Sequence, residues 1–221
     1  MPLIWYKFDT YSTTTVKNYG TKGAACDGTI VPGNSSPYYS DNTGAALAAG
    51  STYTSMFKQT TESPSAGIIS VPTPSYNKYN GVTVTLWMYF RSYSGGSDSI
   101  FARIGLQGID DLYGVSFAHT SVRGSYIYTG LGNPAPKVPI VLNTWMHITL
   151  TYTYSGTVSF YKDGAIYETG TRPQLLDTLA GISLFGIGAT YHSMNGGIRD
   201  FRYYNSVLTP EYITQIYNGE V

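Results

Sequence analysis

The stretch from Trp145 to Asp163 leaves this chain few choices of fold. Two runs of β-branched, aromatic and hydroxyl residues, Trp145-Met146-His147-Ile148-Thr149-Leu150-Thr151-Tyr152 and Thr157-Val158-Ser159-Phe160-Tyr161-Lys162, flank Ser155-Gly156, and the second closes on Asp163-Gly164. Strand side chains alternate faces with a period of two, and glycine-containing pairs supply the positive φ of tight turns. The segment predicts two hairpins in series, the middle of an antiparallel β-meander.

Strand signals recur along the chain. Val82, Val84, Leu86 and Met88 alternate with Thr83, Thr85, Trp87 and Tyr89. Both sets are apolar enough to be covered, which predicts a central strand of a sandwich over 82–90. Further strands are expected near 3–8, 28–31, 53–57, 68–71, 99–106, 113–118, 125–129, 183–187 and 197–204. One helix closes the pattern. Thr209 is suited to its N-cap, Pro210 to the first helical position and Glu211 to the first turn, while Ile213, Ile216 and Tyr217 recur at helical spacing before Gly219. With no linker-like tract, residues 1–221 read as a single all-β domain.

Composition narrows the function. Thirteen basic residues balance thirteen acidic ones, only 12% of residues are charged, and no run of Lys or Arg occurs. That pattern excludes an electrostatic footprint for nucleic acid or an anionic membrane. No apolar run approaches the ~20 residues of a membrane helix, so membrane insertion is not expected. Cys26 is the one cysteine, which rules out an intrachain disulfide. Its neighbour Asp27 would raise a thiol pKa, the reverse of what a nucleophile needs. The polarity comes instead from Ser, Thr, Asn, Gly and 22 tyrosines, a composition suited to the outside of a cell or particle. Leu3 to Phe8 reads as the first strand and leaves no room for a cleavable leader, which is the expectation for a trimmed chain or for a virion protein made in a host cytosol.

Catalysis finds little support. Glycoside hydrolysis needs paired carboxyl groups, placed on a strand two or four residues apart. Glu62, Glu168, Glu211 and Glu220 have no acidic partner at either spacing, and Asp110 and Asp111 are adjacent, so they point to opposite faces. His119, His147 and His192 are far apart in sequence, so nothing predicts a zinc cluster. The expectation is a protein that is not an enzyme. Ligand candidates are loops where aromatic rings and amides combine, because rings stack on sugar faces while amides fix hydroxyls. Tyr76, Asn77 and Tyr79 form one such set, Tyr191 and Asn195 another, and the pairs and single tyrosines at Tyr38-Tyr39 and Tyr93 are weaker instances. Trp5, Trp87 and Trp145 fall on strands and read as core.

The Trp145-x-His147 strand, the turn and Lys162-Asp163-Gly164 resemble the laminin-G-like branch of the concanavalin A-like jelly-roll lectins. The resemblance extends through Gly196-Gly197-Ile198-Arg199-Asp200-Phe201-Arg202-Tyr203-Tyr204-Asn205 to Leu208-Thr209-Pro210, and upstream to Trp5-Tyr6-Lys7-Phe8-Asp9 and Asp27-Gly28-Thr29. It implies an antiparallel β-sandwich of jelly-roll type with one short C-terminal helix. It also implies a structural His147, hydrogen-bonded to the loop before the final strands, and a rim Ca²⁺ whose ligands by position would be Asp9, Asn18, Asp27 and Asp200. Few carboxylates are available, and Tyr11-Ser12-Thr13-Thr14-Thr15 replaces the polar, acidic first loop usual there, so calcium affinity is expected to be weak. The function expected is non-catalytic, lectin-like recognition of a glycan or glycoprotein surface outside a cell or on a virion. The alternative is a structural or assembly protein of a virion or extracellular fibre, a homo-oligomer joined through tyrosine-rich surfaces.

Overall fold

The computed structural model describes residues 1–9, 12, 14–31, 38–40, 55–58, 68–72, 74, 77–92, 99–106, 115–120, 124–128, 136–172, 179–184 and 195–221. Strands are numbered along the chain. One antiparallel sheet runs in the order β14 (Ala165–Thr171), β13 (Thr157–Lys162), β12 (Trp145–Tyr152), β7 (Val82–Ser92), β16 (Asn195–Tyr204), β5 (Ser55–Lys58) and β4 (Tyr38–Ser40). Strand β1 (Ile4–Tyr6) lies beside β16, with Ile4 opposite Tyr203. The second antiparallel sheet runs β11 (Lys137–Pro139), β10 (Gly124–Tyr128), β9 (Val115–Thr120), β8 (Ser99–Leu106), β15 (Leu179–Leu184), β6 (Ile68–Val71), β3 (Gly28–Val31) and β2 (Thr15–Val16). This is the expected all-β sandwich, with the expected helix α1 (Pro210–Asn218) at its end.

The predicted hairpins are both present. Asp163 and Gly164 have φ of 51° and 82°, the left-handed pair that a two-residue turn requires, and Asp163 Oδ1 accepts from the His147 amide at 3.0 Å. Strand β12 pairs with β7 over its whole length, with Trp145 opposite Tyr89 and Tyr152 opposite Val82, and with β13 from Ile148 to Tyr152. Period-two alternation then sorts β7. Val82, Val84, Leu86, Met88 and Phe90 enter the core, where Ile148, Leu150, Phe160 and Phe201 of the same sheet meet Ile69, Val71, Ile127, Ile182 and Leu184 of the other. Tyr6 reaches across to donate to the Cys26 carbonyl at 2.8 Å. Cys26 itself is buried, and that burial pushes its thiol pKa up, with Asp27 adding to the rise and Lys22 opposing it.

Helix α1 starts and stops as its residues dictate. Thr209 accepts from the Tyr212 amide, Pro210 occupies the first turn, and Gly219 at φ 74° turns its N–H back to Gln215 and Ile216. Ile213 and Ile216 are buried, and Tyr217 stacks on Trp87 at 5.7 Å, so the helix covers part of the outer face of the first sheet. Two expectations were displaced. Tyr38 and Tyr39 lie in strand β4 rather than a loop, and the strand expected at 183–187 is β15, Leu179–Leu184. Among the described residues no helix is long and apolar enough to cross a membrane.

Candidate functional site

Among the described residues, the most exposed aromatic ring, Tyr79, sits in a cluster where the chain enters β7. Asn77 caps a single 3₁₀ turn, Lys78–Asn80, by accepting from the Tyr79 amide at 3.1 Å, while its own amide donates to Asn205 Oδ1 at 3.1 Å. Gly81 closes the turn at φ 68°. A β-carbon there would lie 2.5 Å from the Tyr152 carbonyl oxygen, so only glycine lets the turn press against the β12–β13 hairpin. Held this way, Tyr79 is 68% exposed and its ring lies 4.8 Å from that of Tyr154. The Lys78 ammonium lies 5.2 Å from the first ring and 5.5 Å from the second. Asn80 is exposed beside them and its carbonyl accepts from Val207. Aromatic rings can stack on a sugar face, and an ammonium and amides can hydrogen-bond its hydroxyls.

The described members of the two expected ligand sets lie far apart. Asn77 and Tyr79 lie at the start of β7, whereas Asn195 pairs with Ser92 at its end. The eleven-residue strand between them spans about 33 Å. Tyr76 and Tyr191 lie outside the described residues.

The four residues placed by resemblance at a calcium rim have partners within the protein. Asn18 is buried, its Oδ1 accepting from the Trp5 and Gly20 amides and its Nδ2 donating to the Leu3 and Gly23 carbonyls. Asp27 Oδ1 accepts from the Asn18 amide, and Asp9 Oδ1 accepts from the Tyr19 hydroxyl. Asp200 accepts from Trp5 Nε1 and from Arg202 Nε and Nη2. A carboxylate held by a guanidinium and an amide with both ends bonded are poor ligands for a hard cation, so these four do not fit calcium as one set.

The tryptophans depart from the core reading. Trp5, Trp87 and Trp145 point to the outer face of the first sheet and are half-buried. Each lies under a cation: Lys7 and Arg202 on Trp5 at 4.2 and 4.4 Å, and Arg199 on Trp87 and Trp145 at 4.8 and 4.5 Å. Tyr154 and Arg199 were missed in the sequence because neither stands in an aromatic-amide loop motif. The alternation of β7 did carry the signal, since Trp87 falls on the Thr83-Thr85-Tyr89 side.

His147 is fully buried on this same outer face, beneath Trp87 and Tyr217. Its Nε2 is 2.7 Å from Thr85 Oγ1 on the neighbouring strand, where cross-strand pairing sets Thr85 one row from His147, while the loop before the final strands, its expected partner, lies outside the described residues. Its backbone amide and carbonyl both pair with Asp163. Burial lowers its pKa to about 4; Asp200 opposes that shift, and Arg202 and Arg199 add to it.

Comparison with known proteins follows this geometry. A family model described as the concanavalin A-like lectin/glucanases superfamily matches residues 63–214. The binding domain of botulinum neurotoxin serotype G superposes with a TM-score of 0.68 at 11% identity, covering 100% of this chain and 51% of that one. The binding domain of botulinum neurotoxin DC, solved with rat synaptotagmin II, gives 0.65 at 14% identity, covering 99% and 51%. A botulinum neurotoxin type C structure gives 0.66 at 12% identity over the same shares. The chain thus spans about half the length of those structures. A search of the curated proteins found no match.

Proposed function

We propose that this chain, which belongs to the concanavalin A-like lectin/glucanases superfamily, is a non-catalytic recognition module for a glycan or a glycosylated surface. The observation that carries the reading is the rim cluster, with Tyr79 propped 68% into solvent against Tyr154 and under Lys78. A large ring held exposed by a capped turn and a required glycine loses little freedom on binding, which is what a sugar-stacking platform needs. The structural neighbours are in keeping with it: the type C toxin is described as entering cells through two ganglioside molecules, and another binding domain was solved with a sialylated ligand. The module is proposed to act outside a cell or on a particle surface.

Glycan-array binding followed by titration of the best ligand tests this. Tyr79→Ala and Tyr154→Ala each weaken binding about tenfold, the worth of one stacked ring, with unchanged melting temperature. No glycan retained by the wild-type protein, or full binding by the double variant, overturns the rim assignment.

A second reading, self-assembly, is favoured by one feature. Strand β14 ends the first sheet and exposes Ile166 at 61% and Tyr167 at 51%. An uncovered edge strand is a template for pairing with another chain. Light scattering across concentration tests it, with dimers that Ile166→Lys abolishes as the supporting result and a monomer at all concentrations as the contrary one.

A further inference from the structure

Helix α1 rests on a polar face. Of its nine residues only Ile213 and Ile216 are buried. Its other contacts are Tyr212 edge-on to Tyr204 at 6.4 Å, Tyr217 over Trp87 and His147 at 5.7 Å, and Thr214 donating to the Gly164 carbonyl at 3.0 Å. On the outward row of β12, two buried polar atoms, His147 Nδ1 and Thr149 Oγ1, have no hydrogen-bond partner among the described residues. A helix this short does not persist alone in water, and buried unpaired polar atoms weaken its docking, so α1 belongs to the low end of local stability.

The surroundings of the imidazole are built for a neutral ring. A β-bulge in β16 sets Arg199 opposite Trp87 and Arg202 opposite Thr85, with Asp200 and Phe201 together facing Leu86, so two guanidinium groups share this face with His147. Asp200, the one acid of that strand, is bonded to Arg202 and Trp5, and Arg202 also donates to the Val221 carbonyl. From the β13–β14 hairpin, Asp163 gives its Oδ1 to the His147 backbone amide, Tyr161 is a phenol whose pKa burial raises, and Lys162 pairs with Ile148 on the inner row. Strand β7 presents Thr85, Trp87 and Tyr89, none of them charged. Helix α1 brings Tyr212, Tyr217 and one acid, Glu211, which stands six residues from Tyr217, about 9 Å along the helix. A proton on His147 would therefore add a buried charge whose Nδ1–H has no acceptor, next to two like charges.

The chain that leads into α1 also holds the rim turn. Asn205 Oδ1 accepts from the Asn77 amide and the Val207 amide donates to the Asn80 carbonyl. The Leu208 amide donates to Thr83 Oγ1, which donates in turn to the Ser206 carbonyl. Only Thr209, the N-cap, separates this strap from the helix.

We infer that α1 is a proton-sensitive latch: protonation of His147 opens it from the outer face, and the strap 205–208 and the turn that carries Tyr79 slacken with it. The consequence for recognition, weaker glycan binding in acid, rests on the rim proposal. The latch itself does not.

Native-state hydrogen exchange by NMR at pH 7 and pH 4.5, corrected for intrinsic rates, tests it. A ring that titrates near 4 under the helix and near 6.5 once it opens raises the opening constant of α1 about fiftyfold between those pH values. The Ile213, Ile216 and Tyr217 amides are expected to follow that rise, through an opening that exposes less surface than the one releasing the β12 amides, and the Val207 and Tyr79 amides to follow with them. His147→Gln removes the rise. Helix amides that exchange only together with β12, an opening indifferent to pH, or a rise that survives His147→Gln overturns the latch. Should that variant fail to fold, Tyr217→Ala decides: it keeps His147, raises α1 exchange already at pH 7 and moves the ring's titration towards 6.5, whereas a midpoint still near 4 overturns the inference. Glycan titration at the two pH values reads the coupling, with weaker binding at pH 4.5 expected; equal binding while α1 opens overturns it. Absence of glycan binding at both pH values is a failure of the rim proposal, and the Val207 and Tyr79 amides then decide the coupling by themselves.

Discussion

Strands β7 and β12 have two faces that are held by different physics. On the inner face Leu86, Met88, Ile148 and Leu150 are fully buried among apolar neighbours from both sheets, and one aliphatic residue there could be exchanged for another of similar volume. On the outer face Thr85, His147, Trp87 and Arg199 are neighbours through specific contacts, a hydrogen bond of 2.7 Å and ring contacts of 4.8 to 5.2 Å. The inner face makes the sandwich, while the outer face makes it particular. Helix α1 seals part of that outer face, with Tyr217 stacked on Trp87.

The largest effect belongs to the inner face. Phe160→Ala removes a fully buried ring from the core, with an expected loss of about 4 kcal/mol and a fall in melting temperature near 10 °C, read by calorimetry. Were the outer face equally dependent on volume, Trp145→Ala would cost as much; about 1 kcal/mol is expected, since Trp145 is half-buried and loses mainly its ring and cation contacts.

His147 sharpens the comparison through pH. Its folded pKa of about 4 is below the ordinary 6.5, so from pH 6.5 downward the unfolded chain takes up a proton that the folded one refuses. Stability falls as pH falls through that window, by about 3 kcal/mol in all, and levels off once the folded imidazole also protonates near 4. Denaturant melts at pH 7 and 4.5 measure the slope. His147→Gln flattens it, and an unchanged slope in that variant removes His147 as the cause.

Gly164 tests how tightly the helix seals its part of the face. It has φ 82°, and a β-carbon would sit 3.0 Å from the Tyr217 ring. Gly164→Ala is expected to cost about 2 kcal/mol through the strained φ and the displaced ring. Proteolysis or hydrogen exchange would show the loss concentrated in α1 if the helix is held there, or spread evenly if it is not.

The sequence disclosed what depends on period and on turns. The β12–β13–β14 meander, the covered strand β7 and the Thr209–Gly219 helix followed from alternation, Asp163-Gly164 and capping residues. What stayed hidden depended on breaks in the period or on sequence-distant neighbours. The β16 bulge reverses the parity between Arg199 and Arg202, and nothing in Gly-Ile-Arg-Asp-Phe-Arg announces it. Alternation alone cannot separate a tryptophan facing a core from one facing a cation, which is why Trp87 and Trp145 read as core. At the rim the Asn77-Lys78-Tyr79-Asn80 turn was legible as an aromatic-amide loop, but its partner Tyr154 arrives from a hairpin 75 positions along the chain.

The measurement that bears most directly on recognition at the rim is NMR shift mapping of the labelled protein with the best glycan from the array. The account predicts shifts concentrated at Asn77 to Asn80 and Thr153 to Ser155, with saturation transferred from the Tyr79 and Tyr154 rings to the sugar. Shifts confined to β14, or a glycan that perturbs no residue of either aromatic cluster, would contradict it.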